Sequence, residues 1–338
     1  LGCRYRFKDN SGKWVCGPFI YMEKGLGIPF MAVGYSFFCF LCSLGMGSMV
    51  QANSAAETLE FTWGIPSTLG SGIMALLTGA VVLGGIKRIG KAAECLLPLA
   101  SGIYILFSLL VLLLCADRIQ DVFLRIFQSA FGIRQISGGI AGFGISKSLR
   151  YGISRGVFSN EAGLGSAPIA AAAAVTKEPV RQGLVSMTGT FIDTIIICTM
   201  TGISVVLAGT WNDPNLEGVE ITMAAFQKGL PFAPAVASFI LMLCLVFFAF
   251  TTILGWNYYG ERCMEYLFNR NKKVVMTYRW LYILAVFIGP YMTVAAVWNI
   301  ADIFNALMAF PNLIALLALS GVVVKETKDF FKRHKNYE

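Results

Sequence analysis

The sequence predicts an all-α protein of the multi-pass membrane class, and three observations carry that prediction. Hydrophobic residues make up 56% of the 338 positions and charged residues only 14%, against roughly 25% charged in soluble domains; the mean hydropathy is +0.67. Apolar stretches of about 20 residues, enough to cross a bilayer, recur along the chain. The basic residues are shared between the connecting loops in the uneven way that fixes orientation in a membrane.

Eight crossings are expected within one transmembrane domain over residues 1–338. Seven are plain: 29–50, 66–86, 93–115, 184–209, 231–254, 277–298 and 303–324. The eighth, 139–175, is irregular. With residues 1–28 as a cytoplasmic loop and 325–338 as a cytoplasmic tail, 20 of the 27 Lys and Arg residues fall on the inner side. The even number of crossings then brings both basic ends to that side. The formal net charge of +8 is thereby a charge of orientation, and a nucleic-acid partner is excluded.

Along the chain, the second crossing carries "GSGIMALLTGAVVLGG", residues 70–85, whose small side chains let helix backbones approach closely. After the third, "DRIQDVFLRIFQSAF" places Ile119, Val122, Phe123, Ile126, Phe127 and Phe131 at helical spacing. It reads as an amphipathic helix lying on the membrane face or capping the bundle. Trp63, Trp211, Trp280 and Trp298 fall near expected span ends, as interfacial anchors do. The nine cysteines include Cys39 and Cys42 as a single C-x-x-C inside an apolar run; without a second pair they read as packing residues. The only histidine, His334, lies in the charged tail, which removes histidine-based metal sites and catalytic triads. No nucleophile paired with a base stands out, so an enzyme is not expected.

"GISRGVFSNEAGLGSAP", Gly152 to Pro168, is a polar, helix-breaking stretch between apolar ones. Gly156, Gly163 and Gly165 admit backbone conformations closed to other residues. Ser166 followed by Ala167 and Pro168 has the form of a helix start, serine as N-cap and proline in the first turn. The expected structure is a helix stopping near Val157 or Phe158, about eight unwound residues, and a second half-helix through "APIAAAAAV". A broken span bares N–H groups that attract a carboxylate and C=O groups that attract a cation, and such spans mark secondary transporters. Glu161 is a carboxylate at membrane depth; it coordinates a cation, pairs with Arg155 or accepts backbone hydrogen bonds.

Three further groups are candidates. Gln51, Asn53 and Ser54 are polar residues at the outer end of the first span. Thr252 and Trp256, four apart, share a helix face, with Trp256 placed to close over a small side chain; Thr251 and Thr252 form a hydroxyl pair, unless they bond back to their own helix. Ser186, Thr190, Asp193 and Thr201 form a stripe in which Asp193 locks helices together, holds sodium or relays a proton. Asp302 reads as interfacial.

"GISRGVFSNEAGLGSAPIAAAAA" resembles the hallmark segment of the alanine or glycine:cation symporter family, the sodium:alanine/glycine symporters. "GLGIPFMAVGYSFFCFLCSLGMGSMVQANSAA", "GGIKRIGKAAECLLPLASGIYIL", "FIDTIIICTMTG", "TTILGWNYYGER" and "LMAFPNLIALLALS" resemble its other blocks, in family order over nearly the whole chain. The resemblance implies a LeuT-type fold of two five-helix inverted repeats, with 29–50, 139–175 and 231–254 as the third, sixth and eighth core helices. It implies that earlier spans, including a first broken helix with a Gly-Asn motif, are missing from this N-terminally truncated chain, which alone is not expected to transport. It implies sodium-coupled symport of alanine or glycine across the plasma membrane, a bacterial inner membrane, by alternating access, with sodium as coupling ion and no cofactor. The alternative is a proton-coupled permease of the same fold, in which Glu161 or Asp193 titrates. The substrate site on this mapping comprises Gln51, Asn53, Phe158, Ser159, Asn160, Glu161, Gly163, Thr252 and Trp256, and the sodium ligands Thr251, Thr252 and Asn160.

Overall fold

The computed structural model describes residues 1–8, 12, 14–131, 139–171 and 174–334, of which 86, 87, 130, 131 and 139–145 in backbone alone. Ala172 and Ala173 of the expected half-helix, Arg134, and the side chain of Phe131 lie outside the described residues. The protein is an all-α polytopic membrane protein. Six helices among the described residues are long and apolar enough to cross a membrane. They are α1 (Pro29–Trp63), α3 (Ile86–Leu114), α7 (Pro179–Ala208), α9 (Pro234–Leu267), α10 (Lys272–Ile288, continued as one 3-10 turn to Tyr291) and α11 (Val294–Ala318). Between them lie α2 (Ser67–Val82), α4 (Ala116–Phe131), α5 (Gly139–Asn160), the single turn α6 (Ala167–Ala170) and α8 (Glu220–Gly229), and α12 (Ser320–His334) ends the chain. The sixteen residues of α2 span about 24 Å, less than a bilayer core.

Two expected boundaries are corrected by more than ten residues. The first helix does not stop at residue 50: it runs on to Trp63, through a π-helical stretch at Ser43–Val50, and ends where Gly64 turns left-handed (φ 64°) and donates its N–H to the Glu60 carbonyl. The helix at 231–254 likewise continues to Leu267, ending before Asn269 and Arg270 in left-handed conformation. Polar residues such as Gln51, Asn53 and Asn257 lower the local hydropathy without ending the helix, because they face protein instead of lipid. The turn expected at 299–302 lies instead at 289–293, where Gly289 and Pro290 break the helix and Thr293 caps the next one by accepting from the Ala296 N–H at 3.3 Å. Trp298 is therefore inside α11 and not an interfacial anchor. Trp63, Trp211 and Trp280 are exposed on the outer surface. The amphipathic segment is helical as α4, with Val122 buried and Phe127 outward.

Residues 1–28 are more than a connecting loop. A turn at Gly2–Tyr5 and a two-stranded hairpin pairing Phe7 with Val15 and Lys8 with Trp14 lead to Cys16, Phe19, Ile20, Tyr21 and Met22, all fully buried. Phe19, Ile20, Tyr21 and Met22 join α1, α11 and Trp256 in one apolar cluster. The second half-helix is held by this segment: the Cys16 thiol donates to the Pro168 carbonyl at 2.9 Å and Arg6 to that of Ala174 at 2.8 Å. Burial pushes the Cys16 thiol up to about 12. It is thus a neutral thiol at pH 8 and a poor nucleophile. Maleimide labelling of the folded protein at pH 8, read by mass spectrometry, is expected to leave Cys16 unmodified and to reach it only after denaturation.

Candidate functional site

Helix α5 carries the sequence past Val157 and Phe158 and stops at Asn160, later than expected. The unwound stretch is 161–166, shorter than the expected eight residues. Glu161, Gly163 and Gly165 all take positive φ (55°, 79° and 84°). For glutamate that conformation costs of order 1 kcal/mol, and the surroundings hold it: the Ser166 hydroxyl donates to the Glu161 carboxylate. A Cβ at Gly165 would sit 2.7 Å from Pro18 Cγ and 2.8 Å from the Tyr35 hydroxyl, so the chain passes here only as glycine.

The expectation of bared carbonyls is corrected in part. The Gly163 carbonyl accepts from the Asn312 amide at 2.8 Å, the Leu164 carbonyl from the Tyr35 hydroxyl at 3.1 Å, and the Glu161 carbonyl from the Leu164 N–H at 3.1 Å. Tyr21 donates to Asn312 in turn. A membrane protein must satisfy unwound backbone, and here side chains of α1, α11 and the N-terminal segment do so. Ser166 stands at the N-cap position with Pro168 in the first turn, as expected, but its hydroxyl turns to Glu161 and makes no capping bond, and α6 is only one turn long. The chemistry of the break therefore rests on side chains more than on bare helix ends.

Those side chains face two ways. On one face, Trp256 of α9 is buried against Gly47 of α1, so closely that a Cβ at Gly47 would overlap the indole-bearing Cβ. Its indole N–H is buried without a hydrogen-bond partner and lies against the Glu161 carboxylate. One turn beyond Gly47, Gln51 lines a cavity of about 310 Å³ together with Ser54, Glu57, Phe248, Val294 and Trp298. Phe158 packs on Trp298 with ring centroids 4.5 Å apart, and the Arg155 guanidinium lies over the same Trp298 ring at 4.0 Å. Arg155 also pairs with Asp302 at 2.5 Å, and Ser154 donates to the same carboxylate at 3.1 Å. Asp302 is thus no interfacial residue, and Arg155 is bound to it and not to Glu161.

On the other face, Ser159 donates to Asp193 at 2.6 Å, and the Asn160 amide donates to the Thr194 hydroxyl at 3.1 Å while its carbonyl accepts from the Ala162 N–H at 2.9 Å. Asp193 and Thr194 lie in a π-helical stretch of α7, Ile192–Ile197, a distortion frequent at functional sites. This stretch divides the expected stripe. Thr201, two turns on, meets the Tyr104 hydroxyl at 2.6 Å, away from Asp193.

Two candidates are engaged elsewhere. Asn53 donates to the Gly289 and Met292 carbonyls at 3.4 and 3.1 Å, tying α1 to the turn between α10 and α11. Thr251 bonds back to Phe247 and Phe248 at 2.9 and 3.1 Å; Thr252, 100° further round α9, is half-buried. Sequence reasoning missed Trp298, Tyr35 and Asn312 as parts of the site and gave Arg155 the wrong partner, because each acts across more than 100 residues of sequence.

The model of the sodium:alanine symporter family matches residues 1–338. The chain is 45% identical to a sodium/alanine symporter, AgcS, of Methanococcus maripaludis, over 99% of this chain and 74% of that protein. It is 47% identical to an uncharacterized transporter of Haemophilus influenzae over 99% of this chain and 73% of that one. A probable sodium/glutamine symporter of Bacillus subtilis, GlnT, is 36% identical over 98% and 67%.

Proposed function

The chain belongs to the sodium:alanine symporter family, and from that premise we infer how its residues divide the work. It is a transporter and not an enzyme, and it carries alanine across the membrane coupled to sodium. The fold we assign is the LeuT type, with α5 and α6 as the two halves of its sixth core helix and both termini cytoplasmic. The substrate stands between Glu161, Trp256, Phe158 and the Gln51 wall of the cavity. Trp256 fills the space a larger side chain would need, which favours alanine, and glycine beside it, over bulkier amino acids. Sodium is held on the opposite face of the break by the oxygens of Ser159, Asn160, Asp193 and Thr194, hard donors suited to a hard cation. This moves the ion from the Thr251–Thr252 pair, whose first member bonds to its own helix.

The single observation that carries the reading is the break itself. The break touches both clusters, through Glu161 at the start of its unwound stretch and through Ser159–Asn160 at the helix end just before it. Sodium that orders this stretch also orders the substrate's wall, and by linkage each ligand raises the affinity for the other. Uptake of labelled alanine into proteoliposomes at fixed pH, with sodium replaced by choline, tests it. Uptake that persists in choline and follows a proton gradient would select the proton-coupled alternative.

The Arg155–Asp302 pair and the Phe158–Trp298 stack together close the cavity against the break. Both charged side chains are about one-third exposed (35% and 36%), so the latch is worth about 1–2 kcal/mol in all, weak enough to open in each cycle. Asp302→Asn is expected to lower uptake several-fold and to raise the rate at which a cysteine in place of Gln51 reacts with an impermeant thiol reagent from outside. An unchanged labelling rate would show that the pair does not gate the cavity.

A further inference from the structure

Helices α3 and α7 both cross the membrane, and both end at one place, beside the last turn of α8. The chain turns there at Cys115 and runs on as α4. α3 and α7 pack on each other, and each packs on α4 and on α8. Between the four helices lies a cavity of about 130 Å³, lined in part by Cys115, Arg118 of α4, Ser204 of α7 and Lys228 of α8. That is the volume of roughly four waters, room for a phosphate group. A Cβ at Gly229 would stand 2.8 Å from Val111 Cγ1, so α8 sits tight against α3 and holds Lys228 at the cavity. Because two crossing helices end here, the cavity lies at the depth of the lipid headgroups.

The cavity carries positive charge that no carboxylate offsets. Arg118 donates to the Cys115 sulfur at 3.2 Å, and neither Arg118 nor Lys228 forms an ion pair among the described residues. A guanidinium matches two phosphate oxygens at once, and an ammonium adds a point charge. The neighbouring surface is apolar. Leu113 and Leu114 at the end of α3 are exposed, and so are Phe123, Leu124 and Ile126 of α4. At about 100° per residue those three lie on one side of α4, with Arg118, Asp121 and Arg125 on the other. A helix so divided, starting two residues past the end of a crossing helix, lies along the membrane surface with its apolar side in the acyl chains.

We propose that this cavity binds the phosphate of one anionic phospholipid, held by Arg118 and Lys228, with the acyl chains along the apolar sides of α3 and α4. Free phosphate gains nothing from those apolar surfaces. In a zwitterionic lipid the phosphate is already offset by the lipid's own ammonium group. The simpler role for two bases beside helix ends is to offset the carbonyl ends of α7 and α8, and that role needs no lipid. Ser204 lies about 16 Å along α7 from Asp193. The site is therefore separate from the sodium cluster, and its failure and that of the transport reading are distinguishable by uptake.

The test is native mass spectrometry of the transporter taken from vesicles of equal phosphatidylglycerol and phosphatidylcholine. The wild type is expected to retain one phosphatidylglycerol in preference to phosphatidylcholine. The double variant Arg118→Gln, Lys228→Gln is expected to weaken that preference by about 25-fold, about fivefold for each charge. Lys228→Glu alone serves should the double variant not fold. Arg125→Gln, on the same side of α4 but not lining the cavity, is expected to keep the preference. Equal retention of the two lipids by the wild type overturns the proposal, and so does an equal loss in Arg125→Gln. A double variant that melts earlier in lipid-free detergent with its lipid preference unchanged also overturns it, leaving the bases to offset helix ends. Millimolar inorganic phosphate that displaces the bound lipid overturns it as well, assigning the cavity to the free anion.

Discussion

Glu161→Gln is expected to reduce sodium-dependent alanine uptake by about 10- to 100-fold while leaving the protein folded. Glutamine keeps the shape and one acceptor for Ser166, so the break survives. What is lost is the negative charge beside the substrate's ammonium group, and a hydrogen bond to a charged partner contributes about 1.5–3 kcal/mol, which at 1.4 kcal/mol per decade gives that range. The position supports a functional charge in a second way. A non-glycine residue is held at φ 55°, a conformation that glycine would take more easily. Uptake and thermal melting measured on the same preparations separate the cases. Wild-type uptake in the variant would make Glu161 a structural acceptor for Ser166 and nothing more.

Asp193→Asn is expected to raise the sodium concentration for half-maximal uptake by about tenfold or more, at little cost to maximal rate when sodium is saturating. The substitution keeps an oxygen for Ser159 and removes the formal charge that offsets desolvation of the ion, a term worth more than 1 kcal/mol in a partly buried site. If Asp193 only locks α5 to α7, the variant will instead melt earlier and transport less at every sodium concentration, with its midpoint unmoved. That result would return sodium to the Thr251–Thr252 pair.

How far the sequence reaches is clearest at particular residues. The break was legible because Gly163, Gly165 and Pro168 are local signals with local causes. Its start was misplaced by two or three residues, because Phe158 through Asn160 continue the helix and only the backbone of Glu161 departs from it. The ends of α1 and α9 were misread for the opposite reason. Hydropathy treats Gln51 and Asn53 as leaving the membrane, whereas a helix packed in a bundle can bury polar groups that point at other protein groups. The turn at Gly289–Pro290 was written in the sequence and was outweighed by the apolar residues around it. No local pattern could reveal that Asn312 satisfies Gly163, 149 residues away, or that Arg155 reaches Asp302. Such pairs exist only once helices are placed side by side.

The claim on which the account rests is that the unwound stretch 161–166 is where alanine and sodium meet. The most direct measurement is the reactivity of a cysteine in place of Ala162, an exposed residue of that stretch, toward an impermeant maleimide in proteoliposomes, read at that position by mass spectrometry. The account predicts ready labelling in choline, partial protection by sodium, and strong protection by sodium with alanine together. A labelling rate that is the same in choline, in sodium, and in sodium with alanine would contradict it.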